Sequence, residues 1–139
     1  MTKPFRGIFA IALTPFDSEG NLLWDDFERE CDFIARSGAH GFVWPVMASE
    51  FTVLSYPERM EGMRRAVDAV AGRIPVVLGV ADTTQDAAVR LAAEAGRVGA
   101  DAVIAMPPWH VKMADNDAIV AYYRALAEAA GIPVFVQNC

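Results

Sequence analysis

Five short apolar runs punctuate the chain: Gly7–Leu13, Gly41–Pro45, Ile74–Val80, Ala102–Met106 and Ile132–Gln137. They are rich in Val, Ile and Phe, and apolar at successive rather than alternate positions. That pattern predicts strands covered on both faces, as in a parallel sheet. The segments between them read as helices. Leu23–Ser37 carries Trp24, Phe27, Cys31 and Ile34 at spacings of three and four, and Gly38 closes it. Tyr56–Ala71 opens on Ser55-Tyr56-Pro57-Glu58, a capping box with proline in the first turn. Thr84–Val98 follows the cap candidates Asp82 and Thr83 and ends at Gly99. Asp117–Ala130 follows Asp115 and Asn116 and ends at Gly131.

A longer repeat overlies this alternation. Ser37-Gly38-Ala39-His40-Gly41-Phe42-Val43 resembles Val98-Gly99-Ala100-Asp101-Ala102-Val103-Ile104, and Gly72-Arg73-Ile74-Pro75-Val76-Val77 resembles Gly131-Ile132-Pro133-Val134-Phe135. The offset is about 60 residues, two strand–helix units, and a two-unit period suggests a barrel whose alternate strands fill alternate core layers. Eight such units need about 250 residues. The 139 residues hold four units and a fifth strand. A five-stranded doubly wound sheet also fits that length, but it ends on a fifth helix and opens on a phosphate loop or an acidic pair. The first turn here, Thr14-Pro15-Phe16-Asp17-Ser18-Glu19-Gly20-Asn21, is longer and not glycine-rich. The expected fold is therefore α/β, the N-terminal half of a single TIM (β/α)8-barrel domain over residues 1–139, with no second domain.

Composition narrows the function classes. Apolar residues make up 54% and charged residues 22%, which excludes intrinsic disorder. The formal charge of −6 and the lack of a basic stripe argue against nucleic acid as a partner. Arg59, Arg64 and Arg65 alternate with Glu58 and Glu61 and read as one solvated helix face. Two cysteines, Cys31 and Cys139, make neither a disulfide framework nor a CxxC site. The start, with Lys3 and Arg6 before Ile8–Leu13, has too short an apolar core for a signal peptide. No run approaches the ~18 residues of a membrane span. A cytoplasmic protein with no membrane partner is expected.

In a barrel, chemistry lies at the C-terminal ends of the strands. These ends carry Thr14, the turn Met47-Ala48-Ser49-Glu50, Asp82-Thr83-Thr84, Trp109-His110 and Gln137-Asn138. Ser49 and its turn can offer a hydroxyl and backbone N–H groups to an anion, while Glu50 reads equally as a brace of that turn. Asp82, Thr83 and Thr84 read as a helix cap rather than a site. Trp109 can line a pocket or an interface, and His110 reads as a solvated loop residue. Gln137 and Asn138 are polar at the end of an apolar strand, where amides need partners. His40 and His110 have no companions at metal-ligand spacing, so neither metal nor cofactor is expected. The two lysines, Lys3 and Lys112, do not end a strand, so no buried amine is available for Schiff-base chemistry within this sequence.

The ordered segments resemble the dihydrodipicolinate synthase/N-acetylneuraminate lyase family of pyruvate-dependent class I aldolases. Ala12-Leu13-Thr14-Pro15-Phe16 with Gly20-Asn21 is similar to its first strand and turn, and Glu50, Leu54-Ser55 and Glu58-Arg59 to the segment after its second strand. Arg73-Ile74-Pro75-Val76 with Gly79 resembles its third strand, Pro107 its fourth loop, and Ile132-Pro133-Val134 through Asn138 its fifth strand. The resemblance implies a lyase or aldolase that holds a small 2-oxo acid as a Schiff base on a sixth-strand lysine, here beyond residue 139. It also implies a homo-oligomer, dimer or tetramer. Within the site it implies substrate contacts from Thr14, Met47, Ala48 and Ser49, and pocket or interface roles for Glu50, Trp109 and Asn138. The family's Gly-Thr-Thr-Gly-Glu turn is matched by Val46-Met47-Ala48-Ser49-Glu50, its proton-relay tyrosine by Gln137, and its subunit-crossing tyrosine by Trp109. An amide cannot shuttle a proton as a phenol does. The intact protein is thus expected to be a divergent lyase rather than a true dihydrodipicolinate synthase, with the 139 residues alone inactive. The other expectation is a non-catalytic half barrel, a fragment or an assembly module that pairs its strand edges with another chain.

Overall fold

Strands built largely from β-branched and aromatic residues alternate with helices along the chain. The computed structural model describes residues 5–107 and 116–138. Strand β1 (Phe9–Ile11) leads to helix α1 (Trp24–Arg36), β2 (Gly41–Trp44), a 3-10 turn (Met47–Ser49) and α2 (Tyr56–Val70). There follow β3 (Val76–Gly79), α3 (Gln85–Val98), β4 (Ala102–Ala105), α4 (Asn116–Ala130) and β5 (Val134–Val136). The sheet order is β1-β2-β3-β4-β5. Phe9 lies opposite Gly41 in the parallel β1–β2 pair, and Val103 opposite Val134 in β4–β5. The chain divides into two compact units, Met1–Val77 and Leu78–Cys139.

In the first unit α1 turns Phe27, Cys31 and Ile34 inward, the spacing read from the sequence. The Phe27 ring lies 4.8 Å from that of Trp44. Trp44 also lies over Gly62 of α2, where a Cβ would overlap the indole. The Ser55 capping box forms: Ser55 N donates to Glu58 Oε2 at 2.7 Å, and Glu58 N to Ser55 Oγ at 3.4 Å. In the second unit Ala88, Leu91, Ala92 and Ala95 of α3 and Tyr122 and Leu126 of α4 are buried. Gly96 meets Ala130 so closely that a Cβ would strike its carbonyl oxygen. Gly99 takes φ 90° as the C-cap of α3, a left-handed conformation that glycine adopts at no steric cost.

Several expectations change. The strands are shorter than the apolar runs, although Ala12, Val80 and Gln137 just beyond them still donate their N–H groups to carbonyls of the neighbouring strands. β2 and β3 are buried throughout, whereas β1 and β5, outermost in the sheet order, leave Ile11 46% and Val136 61% exposed. The cap of α3 is Thr84, whose Oγ1 accepts from Ala87 N at 3.2 Å. Asp82 instead accepts from Thr83 N at 2.7 Å. Asn116 is the first residue of α4, and Asp115 lies outside the described residues. Arg59 is only 2% exposed, its guanidinium over the Phe51 ring at 5.4 Å, so it does not belong to a solvated face. Arg64 and Arg65 do pair with Glu61, and Arg65 reaches α1 through Glu28 at 2.5 Å. No described helix is long and apolar enough to cross a membrane.

Candidate active site

The turn after β2 is built from the strand outward. Trp44–Pro45 is a cis peptide bond, Pro45 and Val46 are buried, and the backbone then tightens into the 3-10 turn. Ser49 N donates to Val46 O at 2.9 Å and Glu50 N to Met47 O at 3.0 Å. The N–H groups of Met47 and Ala48 open the turn, so its own bonds leave them out. Both residues are exposed, Met47 by 51%. Glu50 is also exposed and closes the turn at φ 58°, a left-handed conformation uncommon outside glycine.

A chain of short hydrogen bonds fixes this turn to the end of β1. Trp44 Nε1 donates to Thr14 Oγ1 at 3.0 Å, and Thr14 Oγ1 donates to Ser49 O at 2.6 Å. Ser49 Oγ donates to Ala12 O at 2.6 Å. All four residues are buried. The hydroxyl protons of Thr14 and Ser49 are therefore committed inside the protein, which differs from the expectation that these groups reach a substrate directly. What the turn leaves at the surface is Met47 and Ala48, the two residues whose N–H groups its own bonds do not use. Such an array can hold a small carboxylate by hydrogen bonds, and it can neither donate nor accept protons as a catalyst.

In the second unit Asp82 and Thr83 bond to each other and Thr84 caps α3, so all three serve the helix start. Gln137 is half-buried, and its backbone N–H donates to Ala105 O at 2.9 Å, extending the β4–β5 ladder. Tyr123 of α4 donates its hydroxyl to the same carbonyl at 3.0 Å. Asn138 is exposed. Trp109 and His110 lie outside the described residues. Thr14, Met47, Ala48, Ser49 and Glu50 are thus gathered around one turn of the first unit. Among the described residues no group of three His, Cys, Asp or Glu side chains is placed to hold a metal. Burial pushes the Cys31 thiol in α1 up to about 12, which makes it a core residue and a poor nucleophile. The residue that sequence reasoning passed over is Trp44. Its signal was present, since an indole N–H inside a fully apolar strand needs a buried acceptor.

The pattern of the dihydrodipicolinate synthetase family matches residues 4–139. The chain is 33% identical over 132 residues to a 4-hydroxy-tetrahydrodipicolinate synthase of Stutzerimonas stutzeri, covering 95% of this chain and 45% of that protein. It is 32% identical over 136 residues to the probable 2-dehydro-3-deoxy-D-pentonate aldolase YjhH of Escherichia coli, covering 98% and 45%. Among solved structures, YagE, a prophage protein of the dihydrodipicolinic acid synthase family from E. coli in complex with pyruvate, superimposes with a TM-score of 0.91. The identity there is 27%, over 97% of this chain and 45% of YagE. The chain spans about half the length of the curated relatives it matches. Its four strand–helix units and fifth strand are those of the family's barrel fold. The family match along nearly all of its length establishes that the chain belongs to the dihydrodipicolinate synthetase family.

Proposed function

We propose that the intact protein is a divergent lyase or aldolase acting on a pyruvate-like 2-oxo acid through a Schiff-base lysine beyond residue 139. The observation that supports this reading is the exposed turn Met47–Ser49 after β2, whose first N–H groups its own hydrogen bonds leave out and whose neighbouring hydroxyls turn inward. A 2-oxo acid presents a carboxylate to such a turn and a ketone to the lysine. The Met47 and Ala48 N–H groups hold the carboxylate, Ser49 and Thr14 hold the turn, and the substrate carbonyl is left for attack. Residues 1–139 form the N-terminal half of one barrel domain in this reading and have no activity alone. The protein works as a homo-oligomer in the cytoplasm and needs neither metal nor cofactor.

The same turn argues against a true dihydrodipicolinate synthase. By resemblance to the family, Met47, Trp109 and Gln137 take the three positions of its relay hydroxyls. Losing the hydroxyls together leaves fewer unpaired polar groups than losing one, so the replacement is physically coherent. Proton transfer then falls to water, to the substrate or to a residue beyond Cys139. The decisive assay offers the intact protein both reactions named for its relatives. Release of pyruvate from a 2-dehydro-3-deoxy-D-pentonate, with no formation of 4-hydroxy-tetrahydrodipicolinate, is the expected outcome. Formation of the latter at the rate of a family synthase would overturn the divergent reading.

A second reading is favoured by one observation: Ile11 and Val136 on the outermost strands are 46% and 61% exposed, and Leu13 just beyond β1 is 59% exposed. A non-catalytic module that pairs strand edges with another chain would cover them. Sedimentation of the purified 139-residue chain separates the two. A stable assembly supports the module, and a persistent monomer counts against it.

A further inference from the structure

We infer that Trp44 is a positioning residue for the turn Met47–Ser49, acting through Thr14. The inference rests on the reading above only for what the turn binds; the positioning itself rests on geometry. Trp44 is fully buried, with Phe27 at 4.8 Å between ring centroids and Gly62 leaving no room for a Cβ beneath it. An indole so enclosed has a fixed direction for its one N–H, which points at Thr14 Oγ1 from 3.0 Å.

Tryptophan is a donor only. Thr14 Oγ1 must therefore accept from Trp44, and its own single proton is directed to Ser49 O, 2.6 Å away. Ser49 is then held twice, because its hydroxyl is bound to Ala12 O at 2.6 Å. Carbonyl and side chain of the turn's last residue are both clamped to the end of β1. The N–H groups of Met47 and Ala48, two and one residues before it, take their direction from that clamp. Removing the indole N–H frees the Thr14 hydroxyl to rotate, and the turn loses one of its two fixed anchors. A residue that merely filled the core would hold the turn no better than a phenyl ring of similar bulk.

Trp44→Phe and Thr14→Val in the intact protein, with Thr14→Ser as the variant that keeps the hydroxyl, test the inference in two measurements. In the first, hydrogen exchange at the Ser49 and Glu50 amides accelerates about tenfold in Trp44→Phe and Thr14→Val, while Ala66 and Val70 in α2 keep their rates. In the second, KM for the 2-oxo acid substrate rises about tenfold in both variants with kcat within about twofold, and Thr14→Ser keeps the parent value. The double variant Trp44→Phe/Thr14→Val is no worse than either single one, because the two residues act in one chain. Unchanged exchange at Ser49 and Glu50, or acceleration that extends equally to Ala66 and Val70, overturns the inference. If the unaltered protein neither binds nor turns over pyruvate, the 2-oxo acid reading fails, and exchange alone decides the role of Trp44. If Trp44→Phe does not fold, Thr14→Val carries both measurements.

Discussion

Ser49 Oγ donates to the carbonyl of Ala12 at 2.6 Å, a bond between residues far apart in sequence that ties the turn after β2 to the end of β1. Both residues are fully buried. Ser49→Ala removes the donor and leaves the Ala12 carbonyl with one partner fewer in a dry environment. The expected loss is about 1–3 kcal/mol. Urea denaturation measures it, and a change below about 0.3 kcal/mol would show that water replaces the bond without cost.

Gly96 and Ala130 decide a question of sign. On helix propensity alone Gly96→Ala should stabilise α3 by about 1 kcal/mol. The added Cβ would meet the Ala130 carbonyl oxygen, a backbone atom that cannot step aside as a flexible side chain does. Overpacking of this kind costs about 1–3 kcal/mol and outweighs the propensity gain. Gly96→Ala is therefore expected to destabilise, and Ala93→Gly on the exposed side of α3 gives the ordinary propensity cost of about 1 kcal/mol for comparison. A rise in thermal midpoint for Gly96→Ala would contradict the contact.

Cys31 links burial to alkaline stability. Its thiol is raised from 9.0 to about 12, first by desolvation and then by the nearby charge of Glu30. Between these values the unfolded chain has lost the proton that the folded chain keeps, so folding binds a proton and stability falls as pH rises. The thiol contribution is fully present below pH 9 and is lost progressively towards 12. Cys31→Ala flattens that alkaline limb at the expense of a core cavity. In the native protein at pH 8, an alkylating reagent labels Cys31 only at the rate of unfolding. Labelling at the rate of a free thiol would contradict its burial.

Asp32 on α1 accepts from Arg73 Nη1 at 2.7 Å and from Arg36 Nε at 2.9 Å. These bonds hold its carboxyl below the ordinary value of 3.8, Arg73 being the larger cause. A depressed folded value gives stability that is present above 3.8 and lost as pH falls through the folded value. Asp32→Asn therefore lowers the thermal midpoint slightly at pH 7, and the difference from the parent shrinks below pH 3.8. Because the group is exposed, 1 M salt shrinks it too. A difference independent of pH would mean that shape, not charge, matters at this position.

Much of the architecture was legible because burial leaves a strong periodic signal. The Phe27, Cys31 and Ile34 spacing reports the inner face of α1, and Ser55 with Glu58 reports the start of α2. Legibility failed where short-range rules leave a residue more than one possible environment. Nothing local reveals that Arg59 is covered by Phe51, or that Thr84 rather than Asp82 caps α3, since both cap candidates satisfy the same short-range rule. At the site, position was legible and role was not. Thr14 and Ser49 stand at strand ends as anticipated, but the direction of their protons depends on Trp44 and on Ala12, which only the fold brings near.

In the proposed function a lysine outside these 139 residues carries the chemistry while this half grips the substrate carboxylate. Borohydride reduction of the intact protein in the presence of pyruvate, followed by peptide mapping, tests it most directly. The predicted result is one covalent adduct, on a lysine beyond residue 139, with Lys3 and Lys112 unmodified and with trapping that weakens in Trp44→Phe. No adduct under conditions that trap a known family member, or an adduct on Lys112, would contradict the account.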